Sequence, residues 1–220
     1  MALNVIFASS EAIPFSKTGG LADVAGSLPF ALGRLGCNVI LILPFYRDTA
    51  GSGFDFEDTG LVVNVPLGKE SIRPRILKCT KDSMPVYFLK CDEFFDRSGI
   101  YGAPEGDYFD NLDRFTFFSR GIMEAAKAIG FKPDVIHCND WQTGLVAAYL
   151  KDAYKDDPFF SGTASLFTVH NLAYQGIFPA ELYWKTGLSG TLFTHEGLEF
   201  WGKFSTLKAG IVYSDAVNKV

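Results

Sequence analysis

Apolar residues in this sequence alternate between short runs and helical spacings. The runs at 3–8, 39–43 and 163–169 have the form of strands buried on both faces. Between the first two runs, apolar residues recur at helical spacing from 21 to 35, and Pro29 predicts a kink or one lost backbone bond inside that helix. This strand–loop–helix–strand order predicts a βαβ unit near the start of the chain.

The middle of the chain interrupts this alternation. Three strand patterns, at 61–65, 73–79 and 86–89, follow one another without a helix between them. They predict either a small β-rich insertion or an edge of the sheet. Apolar residues then return at helical spacing over 111–129, which predicts a long amphipathic helix.

The last third of the chain returns to alternating elements. A strand is predicted at 134–138, and Asn139 or Asp140 is a candidate N-cap for a helix over 141–150. A final helix is expected near 204–213, and 214–220 has the pattern of a beginning strand. We therefore expect residues 1–220 to form one α/β domain, Rossmann-like, with a doubly wound and mostly parallel sheet.

Composition narrows the possible classes of function. The 220 residues are 48% hydrophobic and 20% charged, which is typical of a globular chain. A net charge of −5 without a Lys/Arg cluster argues against nucleic acid as a partner. No apolar run approaches the roughly 20 residues that span a bilayer, and the N-terminus lacks a basic segment before its apolar run. A cytoplasmic setting without membrane contact is the expectation.

Cysteine and histidine spacing indicates no metal site. The four cysteines form no CxxC pair and are expected to be reduced, largely buried thiols. Of the three histidines, His137 falls inside a predicted strand and is expected to be buried, whereas His195 lies in a polar loop and is expected to be exposed. Neither residue type shows metal-ligand spacing.

The first candidate for chemistry is the loop before the first helix. Ligands of open α/β sheets bind beyond the carboxyl ends of the strands, and this loop lies there. Gly19 and Gly20 allow backbone N–H groups to approach an anion, and Lys17 adds a charge suited to a diphosphate. An ordinary flexible loop with an exposed lysine fits the same spacing equally well.

Two further segments follow predicted strands in the same way. Asp140 is either a helix cap or a ligand for a sugar hydroxyl, and Trp141 either stacks on a pyranose ring or packs in the core. His170 and Asn171 come directly after the next strand and offer several hydrogen-bonding groups. Three such segments at one edge of a sheet favour a binding site.

The residues of these three segments carry a family resemblance. Residues 17–24 read KTGGLADV, 134–145 read DVIHCNDWQTGL and 167–176 read FTVHNLAYQG. In this order they resemble the motifs of bacterial glycogen synthases and plant starch synthases. Shorter agreements at 99–102, 114–120 and 207–211 extend the resemblance over essentially the whole chain.

The resemblance implies a fold and an activity. Members of this family are retaining glycosyltransferases of the GT-B type, with two Rossmann-like domains. They transfer glucose from ADP-glucose, less commonly UDP-glucose, to the non-reducing end of an α-1,4-glucan, without a metal or other cofactor. By resemblance, 1–220 is the N-terminal domain and the second GT-B domain is not in this sequence. That implies no synthase activity from this chain alone, and a location in the bacterial cytoplasm, or in a plastid for a plant protein.

The glycine loop, residues 17–20, takes its implied role from the first motif. Lys17 would contact the phosphates of the donor or the transferred sugar. Gly19 and Gly20 would offer N–H groups to the diphosphate, and Thr18 would belong to the same binding loop. Charge builds up on the diphosphate as it departs, so contacts that strengthen at that moment are catalytic.

The other motifs imply the sugar-binding residues. His170 would lie against the transferred glucose and Asp140 would orient a hydroxyl of glucose or acceptor, both as catalytic residues. Tyr101 would line the acceptor path, and Asn171 and Trp141 would contact substrate.

The sequence argues against one alternative function and is compatible with another. A nicotinamide-dependent Rossmann domain would need a GxGxxG turn after the first strand, which is absent. A non-catalytic module that binds α-glucan fits the 15% aromatic content, because aromatic rings stack on sugars. The choice between ADP-glucose and UDP-glucose is made largely by the second domain, so it is not legible here.

Overall fold

The computed structural model describes residues 2–220 and contains fifteen strands and seven α-helices in that range. The strands are β1 (Asn4–Ala8), β2 (Asn38–Pro44), β3 (Glu57–Val62), β4 (Val65–Leu67), β5 (Glu70–Ile72), β6 (Arg75–Lys81), β7 (Met84–Lys90), β8 (Gly102–Ala103), β9 (Gly106–Asp107), β10 (Val135–Asn139), β11 (Ala164–Val169), β12 (Ile177–Pro179), β13 (Glu199–Phe200), β14 (Lys203–Ser205) and β15 (Ala216–Lys219). The helices are α1 (Gly20–Ala25), α2 (Leu28–Arg34), α3 (Arg47–Ala50), α4 (Asp92–Phe95), α5 (Asn111–Ile129), α6 (Leu145–Lys151) and α7 (Thr206–Tyr213), with 3₁₀ turns at Ala180–Thr186 and Gly190–Leu192.

An eight-stranded sheet organises the molecule, in the order β15-β11-β10-β1-β2-β7-β6-β3. The six strands from β15 to β7 are parallel, and β6 and β3 continue the sheet antiparallel. From β1 the chain first builds the sheet toward β7 and then returns to build the other side through β10, β11 and β15. The expected doubly wound, mostly parallel fold is confirmed, and its strand order reverses between β1 and β10.

Both faces of the sheet are covered, because strand residues alternate between two cores. In β1, Ile6 and Ala8 belong to the core shared with α5 and α6, whereas Val5 and Phe7 belong to the core shared with α1 and α2. This explains why the central strands read as continuous apolar runs and not as alternating ones. The long helix α5 lies where the apolar periodicity predicts it.

The middle segment forms both an edge of the main sheet and a small β-rich insertion, the two alternatives predicted for it. Strands β6 and β3 extend the edge of the main sheet, with Leu77 opposite Phe88 of β7. Strands β4 and β5 form a separate hairpin that packs on α5. Antiparallel neighbours need only short turns, which is why no helix separates these strands.

The prediction of one kinked helix over 21–35 is wrong, because the segment forms two helices. Helix α1 ends at Ala25, and the Ser27 hydroxyl donates to the carbonyl oxygen of Asp23 at 2.7 Å. Pro29 then lies in the first turn of α2, where its missing N–H leaves no intrahelical bond unmade. Proline therefore starts a helix here.

The predicted helix over 141–150 begins late. Residues 141–144 form turns, and α6 starts at Leu145 after Gly144. A β-carbon on Gly144 would lie 1.9 Å from the carbonyl oxygen of Thr206, so the turn packs against the start of α7. The expected strand at the end of the chain is confirmed, since β15 pairs in parallel with β11.

Several minor expectations also have outcomes. The four cysteines are free; Cys79 and Cys138 are buried, and the other two are partly exposed. His137 is buried and His195 is exposed, as expected. None of the helices described for residues 2–220 combines the length and apolarity that a membrane crossing requires.

Candidate functional site

A cavity of about 570 Å³ opens at the carboxyl ends of β1, β10 and β11. This is the point where the strand order reverses, the usual ligand position in doubly wound sheets. The lining residues are Glu11, Thr18, Gly19, Gly20, Leu21, Val24, Tyr101, Asp107, Asp140, Trp141, Gln142, His170, Asn171, Tyr174 and Val220. The structure thus brings eight of the nine predicted site residues around one space, and leaves Lys17 outside the lining.

Asp140 joins the ends of two neighbouring strands. Its Oδ1 accepts hydrogen bonds from the backbone N–H groups of His170, at 2.7 Å, and Asn171, at 3.4 Å. Its own backbone has φ +55°, a left-handed conformation that side chains seldom adopt. The interpretation of Asp140 or Asn139 as a helix cap is wrong, because neither side chain bonds to the start of α6.

Burial also changes the acidity of Asp140. The side chain is 7% exposed, and removal from water raises its pKa to about 6. The negative charge of Glu11 adds to this rise, whereas the two backbone N–H groups oppose it. The carboxyl group is therefore ionised at neutral pH but gains a proton more readily than an exposed aspartate.

His170 is held by the last residue of β10. Its Nε2 lies 2.9 Å from Oδ1 of Asn139, and the Asn139 amide nitrogen donates to the carbonyl oxygen of Ala8 at 3.0 Å. With the amide so oriented, Oδ1 must accept, so His170 carries its proton on Nε2. Burial lowers the pKa of His170, which favours a neutral ring with a free acceptor at Nδ1.

Trp141 fits both of its alternative interpretations. The ring is 9% exposed and meets Phe115 edge to face, with ring centroids 4.8 Å apart. The same residue lines the cavity beside Tyr101, at a centroid separation of 6.3 Å. Trp141 is thus a core residue with one part of its surface on the site.

The glycine loop lies at the cavity with its lysine turned aside. Gly19 and Gly20 line the cavity, and a β-carbon at either would meet no atom within 4 Å. Lys17 Nζ lies 2.7 Å from Oδ1 of Asp23, and both side chains are about half exposed. The lysine is therefore directed to Asp23 and away from the cavity lining.

Glu11 is a cavity residue that the sequence interpretation missed. It is 3% exposed and contacts both the glycine loop and Tyr101. The available signal was a charged residue three positions after a buried strand, at the sheet edge where ligands bind. Its importance depends on Tyr101, 90 residues further along the chain, which local spacing does not reveal.

The charges that line the cavity are all negative. Glu11, Asp107 and Asp140 contribute carboxylates, and the lining contains no lysine or arginine. Carboxylates and aromatic rings suit a polyhydroxylated ligand, or one that gains positive charge, better than a diphosphate. Within residues 2–220, no three His, Cys, Asp or Glu residues come together in a way that could hold a metal ion.

Comparison with known proteins gives consistent results. The sequence profile described as the starch synthase catalytic domain matches residues 4–220. The glycogen synthase of Syntrophotalea carbinolica is 47% identical over 218 residues, and that of Elusimicrobium minutum is 45% identical over 219 residues. Each alignment covers 99% of this chain and 45% of the relative, so the chain spans less than half the length of these relatives.

A solved structure shows the same fold. The catalytic domain of starch synthase IV from Arabidopsis thaliana, bound to ADP and acarbose, superposes with a TM-score of 0.87 and 30% sequence identity. The match covers 99% of this chain and 44% of that one.

Proposed function

Because this chain belongs to the starch synthase catalytic domain family, we propose that it forms one half of a glucosyltransferase active site. The reaction is transfer of glucose from ADP-glucose to the non-reducing end of an α-1,4-glucan, with retention of configuration. The glycogen synthase relatives support the reaction class, and the ADP and acarbose bound to the plant enzyme support a nucleotide and a sugar-like ligand.

The charge of the cavity lining is the observation that carries this proposal. Three carboxylates with Trp141 and Tyr101 form a wall suited to sugar rings and hydroxyl groups. Loss of ADP leaves positive charge on the glucosyl carbon, and nearby carboxylates stabilise that charge. The negative diphosphate needs cations from outside this lining. The carboxylate wall therefore binds the sugars and not the diphosphate.

Each residue has a defined part in the transfer. The bond from the glucosyl C1 to the diphosphate oxygen breaks, the bond from C1 to the acceptor O4 forms, and the acceptor hydroxyl proton passes to the departing diphosphate oxygen. Asp140 Oδ1 is occupied by backbone N–H groups, so its second oxygen accepts a sugar hydroxyl. His170, neutral and held at Nε2, presents its ring and its backbone carbonyl oxygen to the transferred glucose, since its backbone N–H is bonded to Asp140.

The diphosphate side depends on groups outside the cavity lining. Lys17 is within the same loop as the lining glycines, and its exchange from Asp23 to a phosphate would add one cation. The cavity lining supplies no other cation, and the chain aligns with only 45% of its glycogen synthase relatives, so the remaining cations would come from outside this chain. We propose that this chain is the N-terminal domain of a two-domain enzyme and is inactive alone.

Transfer of labelled glucose to glycogen tests the function. The natural full-length polypeptide that carries this chain is assayed with ADP-glucose and with UDP-glucose, beside the 220-residue chain. The expected result is transfer by the full-length protein, faster with ADP-glucose, and none by the 220-residue chain. If the full-length protein transfers glucose from neither donor, the proposed reaction is contradicted.

A non-catalytic α-glucan-binding module is the second candidate. Two aromatic side chains outside the cavity favour it, since Phe109 is 98% exposed and Trp201 is 88% exposed. Calorimetric titration with maltoheptaose separates the candidates when combined with the transfer assay. Binding without turnover by the full-length polypeptide supports the module, and turnover excludes it.

A further inference from the structure

A buried carboxylate connects the two walls of the cavity. Glu11 follows β1 by three residues, lines the cavity and is 3% exposed. Carboxylates are seldom buried to this degree unless donors surround them. Ser9 and Ser10, which precede it, are also buried, so the segment is fixed at the base of the site.

The two oxygens of Glu11 face the glycine loop together. Oε2 accepts hydrogen bonds from the backbone N–H groups of Thr18 and, at 3.4 Å, Gly19. Oε1 accepts from the hydroxyl group of Thr18 at 2.9 Å. A bound anion could otherwise accept hydrogen bonds from these backbone N–H groups. The Glu11 carboxylate already occupies them.

The same carboxylate reaches the opposite wall. Tyr101 Oη donates to Oε1 of Glu11 at 3.0 Å and lies 2.7 Å from the hydroxyl oxygen of Ser10. An ionised carboxylate can only accept, so the single phenolic proton points to Glu11 and Ser10 must donate to Tyr101. Tyr101 therefore has no proton to offer a ligand, and its remaining lone pair can accept one from a sugar hydroxyl.

The glycine loop has few other restraints. The space around Gly19 and Gly20 is open, and the ion pair of Lys17 with Asp23 is half exposed. Exposed ion pairs contribute little to order. Backbone bonds from Ser16 N–H to Ala12 at 3.1 Å and from Ala22 N–H to Gly19 at 3.3 Å hold its two ends. Between them, the part-buried bonds to Glu11 are the side-chain contacts that join Thr18 and Gly19 to the base of the site.

We propose that Glu11 is a positioning residue that fixes the glycine loop and the Tyr101 hydroxyl relative to each other before substrate binds. Its kinetic consequence rests on the proposed glucosyl transfer. The donor side and the acceptor side of the reaction are set by one carboxylate, and Tyr101 meets the sugar as a hydrogen-bond acceptor.

Substitution Glu11→Gln in the natural full-length polypeptide tests this link. The amide keeps the size of the side chain but turns one acceptor oxygen into a donor that faces other donors. Hydrogen exchange of the peptide covering 16–22 is expected to speed up, and kcat for transfer to fall about 10- to 100-fold with little change in KM for glucan. Glu57→Gln, at an exposed glutamate of β3, is the matched control and changes neither quantity.

A double-mutant cycle distinguishes positioning from general weakening of the fold. If Glu11 acts through Tyr101, Glu11→Gln combined with Tyr101→Phe lowers kcat by less than the product of the two single effects. Multiplicative effects, or exchange over 16–22 that equals that of the Glu57→Gln control, would overturn the proposal. Should Glu11→Gln prevent folding, Tyr101→Phe alone must speed up exchange over 16–22, and unchanged exchange overturns the proposal.

The hydrogen-exchange measurement over 16–22 does not depend on whether the protein transfers glucose. If the unsubstituted polypeptide transfers no glucose, the proposed function fails. Faster exchange in Glu11→Gln would still support the positioning role, and unchanged exchange would reject it.

Discussion

The backbone N–H of His170 donates a 2.7 Å hydrogen bond to Oδ1 of Asp140, so a side chain at the end of one strand holds the main chain at the end of the next. The bond lies at the rim of the cavity and brings the two predicted catalytic residues together. Because Asp140 is buried and bonded in this way only in the folded chain, its pKa differs between the folded and unfolded states.

The raised pKa of Asp140 predicts a specific pH dependence of stability. The folded pKa is about 6 and the ordinary value is 3.8, so the folded state binds the proton more tightly than the unfolded chain. The stabilisation from this group is complete below about pH 4 and is lost as the pH rises through 6. The free-energy difference between the wild-type protein and Asp140→Asn should therefore change by roughly 2.4 kcal/mol between pH 4 and pH 7, in favour of the variant at higher pH.

Urea unfolding of both proteins at four pH values across that range measures the effect. A difference between the two free energies of unfolding that stays constant with pH would contradict the assignment of a raised pKa.

His170 is predicted to be the Nε2–H tautomer at neutral pH. The Asn139 oxygen accepts from Nε2, and burial lowers the pKa of the ring below its ordinary value of 6.5. Long-range ¹H–¹⁵N NMR distinguishes the two ring nitrogens and follows their titration. His137, whose pKa burial lowers to about 4, provides an internal comparison. An Nδ1–H tautomer, or a pKa for His170 above 6.5, would contradict the geometry.

Lys17→Ala in the natural full-length polypeptide is predicted to separate activity from stability. Loss of the exposed pair with Asp23 should change the free energy of unfolding by only about 0.5 kcal/mol. Loss of a charged contact to the diphosphate should cost about 1.5–3 kcal/mol in transfer, close to a 10- to 100-fold lower rate. Lys155→Ala, at an exposed lysine, is the control. Transfer equal to that of the control would show that Lys17 does not contact the donor.

Two glycine substitutions are predicted to have opposite effects on stability. A β-carbon at Gly144 would lie 1.9 Å from the Thr206 carbonyl oxygen, so Gly144→Ala must move α7 and should lower the free energy of unfolding by about 2–3 kcal/mol. Gly33 lies exposed in α2 with open space around it, so Gly33→Ala should raise stability by about 0.5–1 kcal/mol. Chemical denaturation of both variants measures the contrast, and a stable Gly144→Ala would refute the packing described here.

Elements with strong internal patterns could be predicted from the sequence. Helix α5 has an apolar face long enough to define it, and Gly130 ends it in a left-handed conformation with φ 75°. Apolar spacing alone does not show the division into α1 and α2, where Pro29 starts a new helix and a tertiary contact adds to the local signals. Gly26 packs so tightly on Ile13 that a β-carbon would lie 2.2 Å from its side chain, and apolar spacing does not register that contact.

In the candidate site, too, some residues can be predicted from local sequence, whereas the roles of others depend on contacts between residues far apart in the chain. Motif position identified Asp140, His170 and the glycine loop, because the carboxyl ends of parallel strands meet at one edge. The partner of Lys17 is only six residues away, yet its spacing fits a free or a paired lysine equally well. The role of Glu11 depends on Tyr101, and their proximity exists only in the folded chain.

The cavity is made almost entirely by residues that follow strands and do not belong to them. Exposed lining positions such as Thr18, Asn171 and Tyr174 can therefore vary in sequence while the apolar strands keep their registers, whereas Gly144 is fixed by its packing on Thr206. A library confined to such exposed lining positions would explore new ligand specificities on an unchanged scaffold. The same separation gives natural selection a way to alter the chemistry of this domain without rebuilding its core.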